Sequence, residues 1–548
     1  MKKFFLIIFL STLVNCQVNQ EQPKSFFEKA KTKVSDLYSA TKEAISARLV
    51  RPVSERVVQK VVNEVNAQSK KVLEKFKSSA IALRQVILKQ EKPFDIAATA
   101  RTGSAISENE KIFLKNRSEV VKRALEKLEI KAARIPKIAV CASGGGVRAS
   151  VGFLGFLVGL EKNNILDTTT YISALSGSTW TLAPWLIQGS SLNDFKKYLK
   201  DRVAKGMGPI AKGIQIQKFI RALLTKVLFL QSITTVDIYG GLLANFLLQS
   251  FDPERHKVHF SSLIPKLLKG SIPMPICTAV MTGLSRYEWF EFNPFEVGSS
   301  FLNTYIPSWS FGREFANGKS TDFAPEQSLG YLLGIFGSAF EVNLQDLIRL
   351  EEEAIKEESR ILYEIMNTLE KTMVGEVRLW PASVYNFSYK LNGSPLKNKK
   401  NISLIDAGID FNLPIPPLLE RDLDLIIIFD ASRPHLTEFT RTIEILKKRG
   451  HKFPQINSKK LSDKRITVFE NNVGPIIIYM PLYNENGEYL NGYDWRKEKH
   501  GQTSNFKYTN EEFEKMAGLS EFNVEKSSQV IIDTIRKISE NPSIHPSF

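Results

Sequence analysis

The sequence predicts an α/β protein with a mixed, mostly parallel central sheet flanked by helices. Three segments carry that prediction, and each is an apolar run ending in a turn of small residues. The first is Pro136-Lys-Ile-Ala-Val-Cys-Ala-Ser-Gly-Gly-Gly-Val-Arg-Ala149. Its Ile138–Ala142 run is continuously apolar, the pattern of a strand buried on both faces. The second is Tyr171-Ile-Ser-Ala-Leu-Ser-Gly-Ser-Thr-Trp180. It reads as a buried strand over Tyr171–Leu175, a sharp turn at Ser176, and a helix over Thr179–Ile187. The third, Ile402-Ser-Leu-Ile-Asp-Ala-Gly-Ile409, is a strand that ends in Asp406 and turns at Ala407 and Gly408.

Each strand end brings a chemical group. Gly144, Gly145 and Gly146 let the backbone bend and come close to a ligand. The helix expected from about Arg148 to Lys162 then presents unpaired amides, which stabilise an anion. In acyl transfer that anion is the tetrahedral oxyanion. The same glycines suit a phosphate-binding or merely flexible turn. The dinucleotide spacing Gly-x-Gly-x-x-Gly does not fit, and no Walker Lys-Ser/Thr follows. Ser176 has the strand–turn–helix setting of a nucleophile elbow, with Gly-x-Ser-x-Gly relaxed to Ala174-Leu-Ser176-Gly-Ser178. Asp406 either points into the crevice at a strand end or simply caps a turn. The six histidines are His256, His259, His435, His451, His500 and His545, and none lies in a strand-end motif. A serine and an aspartate without a histidine suggest a dyad, in which the carboxylate takes the serine proton. An ordinary aspartate titrates near roughly 3.9, so such a pair needs a dry, well-aligned site.

These segments resemble the catalytic domain of the group-IV cytosolic phospholipase A2 and phospholipase B (lysophospholipase) family. The resemblance rests on Ser143-Gly-Gly-Gly-Val-Arg-Ala149, Leu175-Ser-Gly-Ser-Thr-Trp180 and Ile405-Asp-Ala-Gly-Ile-Asp-Phe-Asn-Leu-Pro414. Trp289–Gly298, Leu333–Phe340, Asp424–Ser432 and Phe506–Phe513 follow in family order, so it covers the chain from about residue 135 onward. It implies a patatin-like hydrolase fold with helical cap insertions and hydrolysis of fatty acyl esters of glycerophospholipids. The same site could serve a lysophospholipase or an acyltransferase; a non-enzymatic surface lipid-binding protein is the alternative outside enzymes. It also implies Ser176 as nucleophile, Asp406 as base, and Gly145 and Gly146 as oxyanion hole, to which the Gly177 amide is added. Arg148 would hold the lipid phosphate, a task for a planar, permanently charged fork. The chain departs from the family at Ala174, where glycine is usual, and at Ala407, where serine is usual. The calcium-binding sandwich that precedes many cytosolic members has no counterpart, and no EF-hand pattern is present. No metal and no cofactor are therefore expected.

Composition agrees. The 74 Lys+Arg exceed the 58 Asp+Glu by a net charge of +16, which favours an acidic partner. No nucleic-acid module is visible and the basic residues are dispersed, so an anionic membrane surface fits better. Oligomeric state is open. Met1-Lys-Lys followed by the apolar Phe4–Val14 stretch has signal-peptide form, with residues 1–16 as leader. Leu13-Val-Asn-Cys16 also resembles a lipobox, which would anchor an exported chain through an acylated Cys16. Cys141 and Cys277 sit in apolar runs and are expected as buried thiols. Residues 17–130 read as a helical N-terminal region that either packs on its neighbour or lies on a membrane. Residues 131–548 form the catalytic unit, with helical lid insertions near 190–270 and 343–373.

Overall fold

In the computed structural model, the described residues are 96–540, apart from 104–105, 208–218, 220–221, 224, 227, 253, 340, 343–376, 379–380, 452, 454–455, 457–462 and 471–473. The centre is a twelve-stranded sheet. Its strands are β1 (Arg101–Thr102), β2 (Ile138–Ala142), β3 (Tyr171–Ala174), β4 (Met274–Thr282), β5 (Glu288–Phe292) and β6 (Glu296–Ser299). The others are β7 (Thr304–Pro307), β8 (Ala382–Tyr385), β9 (Asn401–Asp406), β10 (Leu425–Asp430), β11 (Thr467–Phe469) and β12 (Ile476–Pro481). The main path runs β1-β7-β6-β5-β4-β3-β2-β10-β12-β11, with β9 joined to β4 and β8 to β9. The middle strands β4, β3, β2, β10 and β12 are parallel. They are also the most apolar, as strands covered on both faces must be.

Nine α-helices surround the sheet among the described residues: α1 (Glu108–Lys127), α2 (Gly146–Lys162), α3 (Thr179–Gln188), α4 (Leu192–Lys205), α5 (Thr235–Leu247), α6 (Ile264–Leu268), α7 (Leu329–Phe336), α8 (His435–Lys448) and α9 (Asn510–Glu540). Helix α2 is buried from Gly146 to Leu160. It lies under α9, so closely that a Cβ on Gly155 would meet the Ala517 carbonyl at 2.0 Å. An apolar helix with no wet face is the expected result of that sandwich. It starts at Gly146, two residues before the sequence expectation, because the glycine loop itself supplies its first turn.

The expected leader and the first helices of the N-terminal region fall in residues 1–95, outside the described residues, as does the lid expected at 343–373. The insertion expected near 190–270 contains α4, α5 and α6. Helix α1, which the sequence groups with the N-terminal region, packs against the turns that lead into β3 and β4. Phe113, Val121, Ala124 and Leu125 are buried, and Arg117 donates to the carbonyls of Thr169, Gly270 and Asp167. Cys141 and Cys277 are buried free thiols.

The deepest tie is ionic. Arg421 is fully buried and forks onto two carboxylates, with Nε 2.9 Å from Glu110 and Nη1 2.8 Å from Glu291. Its Nη1 also donates to the Pro417 carbonyl, and Tyr171 donates to Glu110 at 2.9 Å. Burial opposes the guanidinium charge, but the two carboxylates outweigh it and hold the Arg421 pKa well above its usual range. One cation thus joins α1, β5, β3 and the chain entering β10. Arg421→Leu would leave two buried carboxylates unpaired and is expected to destabilise the fold by about 3 to 5 kcal/mol in denaturant unfolding near neutral pH. The deficit should shrink as the carboxylates protonate in acid; an unchanged midpoint would show that the cluster is not a stabilising hub.

Candidate active site

Strand β4 has nine residues, and only Met274–Cys277 pair with β3. The edge is then taken over by β9, which runs the opposite way: Ser403 pairs with Thr282 and Asp406 with Ala279. Two strands therefore meet end to end on one edge of β4. The chain leaves the top of β3 into Ser176 and arrives down β9 at Asp406. The sequence expectation of a strand-end aspartate holds, but the strand is antiparallel to its neighbour. Thr278 Oγ1 closes the junction by donating to the last carbonyl of β3, that of Ala174, at 3.2 Å.

Ser176 has φ +49°, the left-handed region that side-chain-bearing residues avoid. Strain of this kind persists only where neighbours enforce it. Here Thr179 Oγ1 donates to the Ser176 carbonyl at 2.6 Å, and Ser178 Oγ donates to the Ser143 carbonyl at 2.6 Å. The turn is pressed against the glycine loop: a Cβ on Gly177 would lie 1.9 Å from the Gly146 carbonyl oxygen. Gly145 and Gly146 have φ of +142° and +62°, so the loop too needs residues without Cβ. Gly145 is the N-cap of α2 and brings no side-chain cap to its amides. Gly145, Gly146 and Gly177 thus stand together beside Ser176, where α2 begins.

Asp406 is fully buried, and burial raises its carboxyl to about 7. Three donors oppose the rise. The Gly408 amide donates to Oδ1 at 2.9 Å, the Ala339 amide to Oδ2 at 3.4 Å, and the Ser176 side chain is the third partner. No histidine is among the groups acting on it.

Arg148 is only 3% exposed. Nε donates to the Ala431 carbonyl at 2.8 Å, and Nη1 to the Gly501 carbonyl at 2.7 Å and Thr503 Oγ1 at 3.1 Å. Its guanidinium lies over Trp495, and burial pulls its pKa down to about 10. Only Nη2 faces the loop, where a Cβ on Gly145 would approach it to 2.6 Å.

Other residues complete the site without having been singled out. Asn412 clamps Gly144, donating to its carbonyl at 3.1 Å and receiving its N–H on Oδ1 at 3.2 Å. Asn412 Nδ2 also donates to Ser432, and its own N–H goes to Glu438. It lies six residues after Asp406 in the same motif, and that proximity was the available signal. Ala339 follows α7, in the Leu333–Phe340 segment.

Fold and sheet order define a patatin-like α/β fold. A family model of the lysophospholipase catalytic domain matches residues 138–461, and the chain belongs to that family, one of lipid acyl hydrolases. It is 24% identical over 564 residues to cytosolic phospholipase A2 gamma of Mus musculus, covering 80% of this chain and 93% of that one. It is 27% identical over 528 residues to cytosolic phospholipase A2 epsilon of Homo sapiens, covering 80% of this chain and 60% of that one. The solved structure of human GIVD cytosolic phospholipase A2 matches with a TM-score of 0.67 at 24% identity, over 80% of this chain and 65% of that one. The chain thus spans less than two thirds of the epsilon enzyme and of the solved chain.

The commitments of Arg148 set an expectation. Arg148→Lys keeps the charge but loses the fork. It should lower turnover of a phospholipid and of a neutral acyl-nitrophenol by factors within about threefold of each other, with a drop in thermal midpoint, because the fork mainly ties the loop to Ala431 and Gly501. A loss confined to the phospholipid would assign the fork to the head-group phosphate.

Proposed function

We propose that this chain hydrolyses fatty acyl esters of glycerophospholipids through a Ser176–Asp406 dyad. The observation that carries the reading is the end-to-end meeting of β3 and β9, which brings a strained serine onto a buried carboxyl. Asp406 takes the Ser176 proton as Oγ attacks the acyl carbonyl. The oxyanion is met by the amides of Gly145, Gly146 and Gly177. Asp406 returns the proton to the departing glycerol oxygen and leaves an acyl-enzyme. Water then attacks the acyl carbon, gives its proton to Asp406, and Ser176 is released protonated. A base near 7 suits this work far better than an ordinary aspartate. The edge of Arg148 that would meet the lipid phosphate is Nη2, beside Gly145, since Nε and Nη1 are committed to protein acceptors.

An anionic membrane is the proposed partner. Support comes from the charge of +16 and from exposed Lys397, Lys399 and Lys400 on the loop that feeds β9. Lys400 also pairs with Glu314 at 2.6 Å. No helix among the described residues is long and apolar enough to cross a membrane. Export, with or without acylation of Cys16, is proposed on the Met1–Cys16 pattern alone.

Release of fatty acid from phospholipid labelled at each acyl position tests the reading. Ser176→Ala and Asp406→Asn should each abolish release, since nucleophile and base act as a unit. Replacing all six histidines should leave activity. A histidine whose loss abolishes turnover in folded protein would point to a triad. Transfer to a lipid alcohol in preference to water would make the chain an acyltransferase.

Titration of Asp406 makes two more predictions. Activity should fall through an acid limb near the raised value of about 7, because only the ionised carboxyl accepts the proton. A carboxyl raised from 3.8 to about 7 contributes stability below pH 3.8 that is lost as pH rises through 7, a difference of about 4 kcal/mol. Asp406→Asn should therefore raise the thermal midpoint more at about pH 8 than at about pH 4. Equal shifts at both would mean that the carboxyl is not buried as an anion.

A further inference from the structure

The turn after α7 touches both halves of the site. On one side, a Cβ on Gly337 would come within 2.7 Å of the Trp180 ring, on the helix that leaves the Ser176 elbow. On the other, Ser338 Oγ accepts the Asp406 backbone N–H at 3.1 Å, and the Ala339 amide donates to Asp406 Oδ2. Ser338 is 1% exposed, and its hydroxyl also donates to the Ile335 carbonyl at 2.9 Å, in the last turn of α7. The hydroxyl thus partners the backbone N–H of the last residue of β9. Pairing of β9 with β8 is described only up to Leu404, which faces Ala382, and two residues later the Asp406 N–H meets Ser338.

The support behind this turn is stiff. Helix α7 crosses α5 on glycines: a Cβ on Gly330 would meet Ala244 at 2.7 Å, and one on Gly334 would meet the Val236 carbonyl at 2.9 Å. Backbones packed this closely do not shift without displacing each other. Helix α7 is buried throughout, and Gly337 closes it with a bond to the Leu333 carbonyl at 3.0 Å.

We propose that Ser338 is a positioning residue for the base, with Gly337–Ala339 acting as the spacer that sets the separation of Asp406 from Ser176. The proposal rests on the dyad reading. Ser338 touches neither substrate nor reacting atoms and works through Asp406. Without its hydroxyl, Asp406 N–H and Ile335 carbonyl both lose a partner, and the Ala339 amide loses its fixed place at Oδ2. Among the described residues, Tyr239 on α5 also lies in the field of Asp406; burial pushes its phenol well up, so it stays neutral.

The test compares Ser338→Ala, Ser338→Thr and Asp406→Asn in the full chain, with turnover expressed per mole of folded protein. Ser338→Ala should lower kcat by about tenfold to 100-fold with KM within about twofold, the effect of a misaligned base. Its acid limb should move to higher pH, because an amide donor that favours the ionised carboxyl has retreated. Ser338→Thr, which restores the hydroxyl, should return the limb to its original place. If Ser338→Ala does not accumulate as folded protein, Ser338→Cys, a weak hydrogen-bonding partner, takes its place. An inactive Asp406→Asn with an unmoved limb in the Ser338 variant would overturn the positioning role and leave the dyad standing. A fully active Asp406→Asn would overturn both.

Discussion

One strand edge organises this molecule. β4 is long enough to serve two partners in succession, β3 rising and β9 descending, and where one stops the other begins. The break between them is a hole in the ladder, and polar groups left at such a hole must find partners. Thr278 takes the last carbonyl of β3, and Ser338, beyond the described pairing of β9 with β8, takes the Asp406 N–H. Between those two contacts lie the serine turn and the aspartate. The site is a consequence of how the sheet changes partner, not an ornament added to a finished sheet.

The chain buries charge in two opposite ways. Around Arg421 every charge meets its opposite within 3 Å, and the cluster joins elements far apart in sequence. At Asp406 the carboxyl receives dipoles but no cation, so its ionised form is left partly uncompensated. The first arrangement favours the folded state; the second works against it above the raised titration point of the carboxyl, about 7. Arg421 sits against the main core, whereas Asp406 lies beside a smaller separate cluster of Leu175, Val280, Ile405 and Ala407.

Much of this was legible in the residues because the signals are local. Ile138–Ala142 is a strand with the bounds its apolar run sets, and the elbow helix ends one residue beyond expectation. Small residues mark the turns because nothing larger fits: Gly177 and Gly144 face other atoms closer than a side chain allows. What escaped was non-local. The direction of β9 depends on pairing with β4, which its own sequence does not encode. Arginine is ordinarily a surface residue, so the burial of Arg148 beneath Trp495 has no trace in its neighbours. Ser338 looks like any serine after a helix until the Asp406 amide is seen to need it. Helix α1 carries ordinary amphipathic spacing, and its ties to Arg421, Thr169 and Gly270 run through Glu110 and Arg117, both buried.

The descent of β9 towards β3 has a consequence in time. A ribosome makes the elbow early and the aspartate late, and the edge of β4 that receives β9 lies open until then. Pairings between distant segments form slowly, after the local ones. A partly made chain therefore carries Ser176 without Asp406 beside it. The two strand ends on β4 can meet only once more than two thirds of the chain has been made, so the pairing of Ser176 with Asp406 is among the late events of folding.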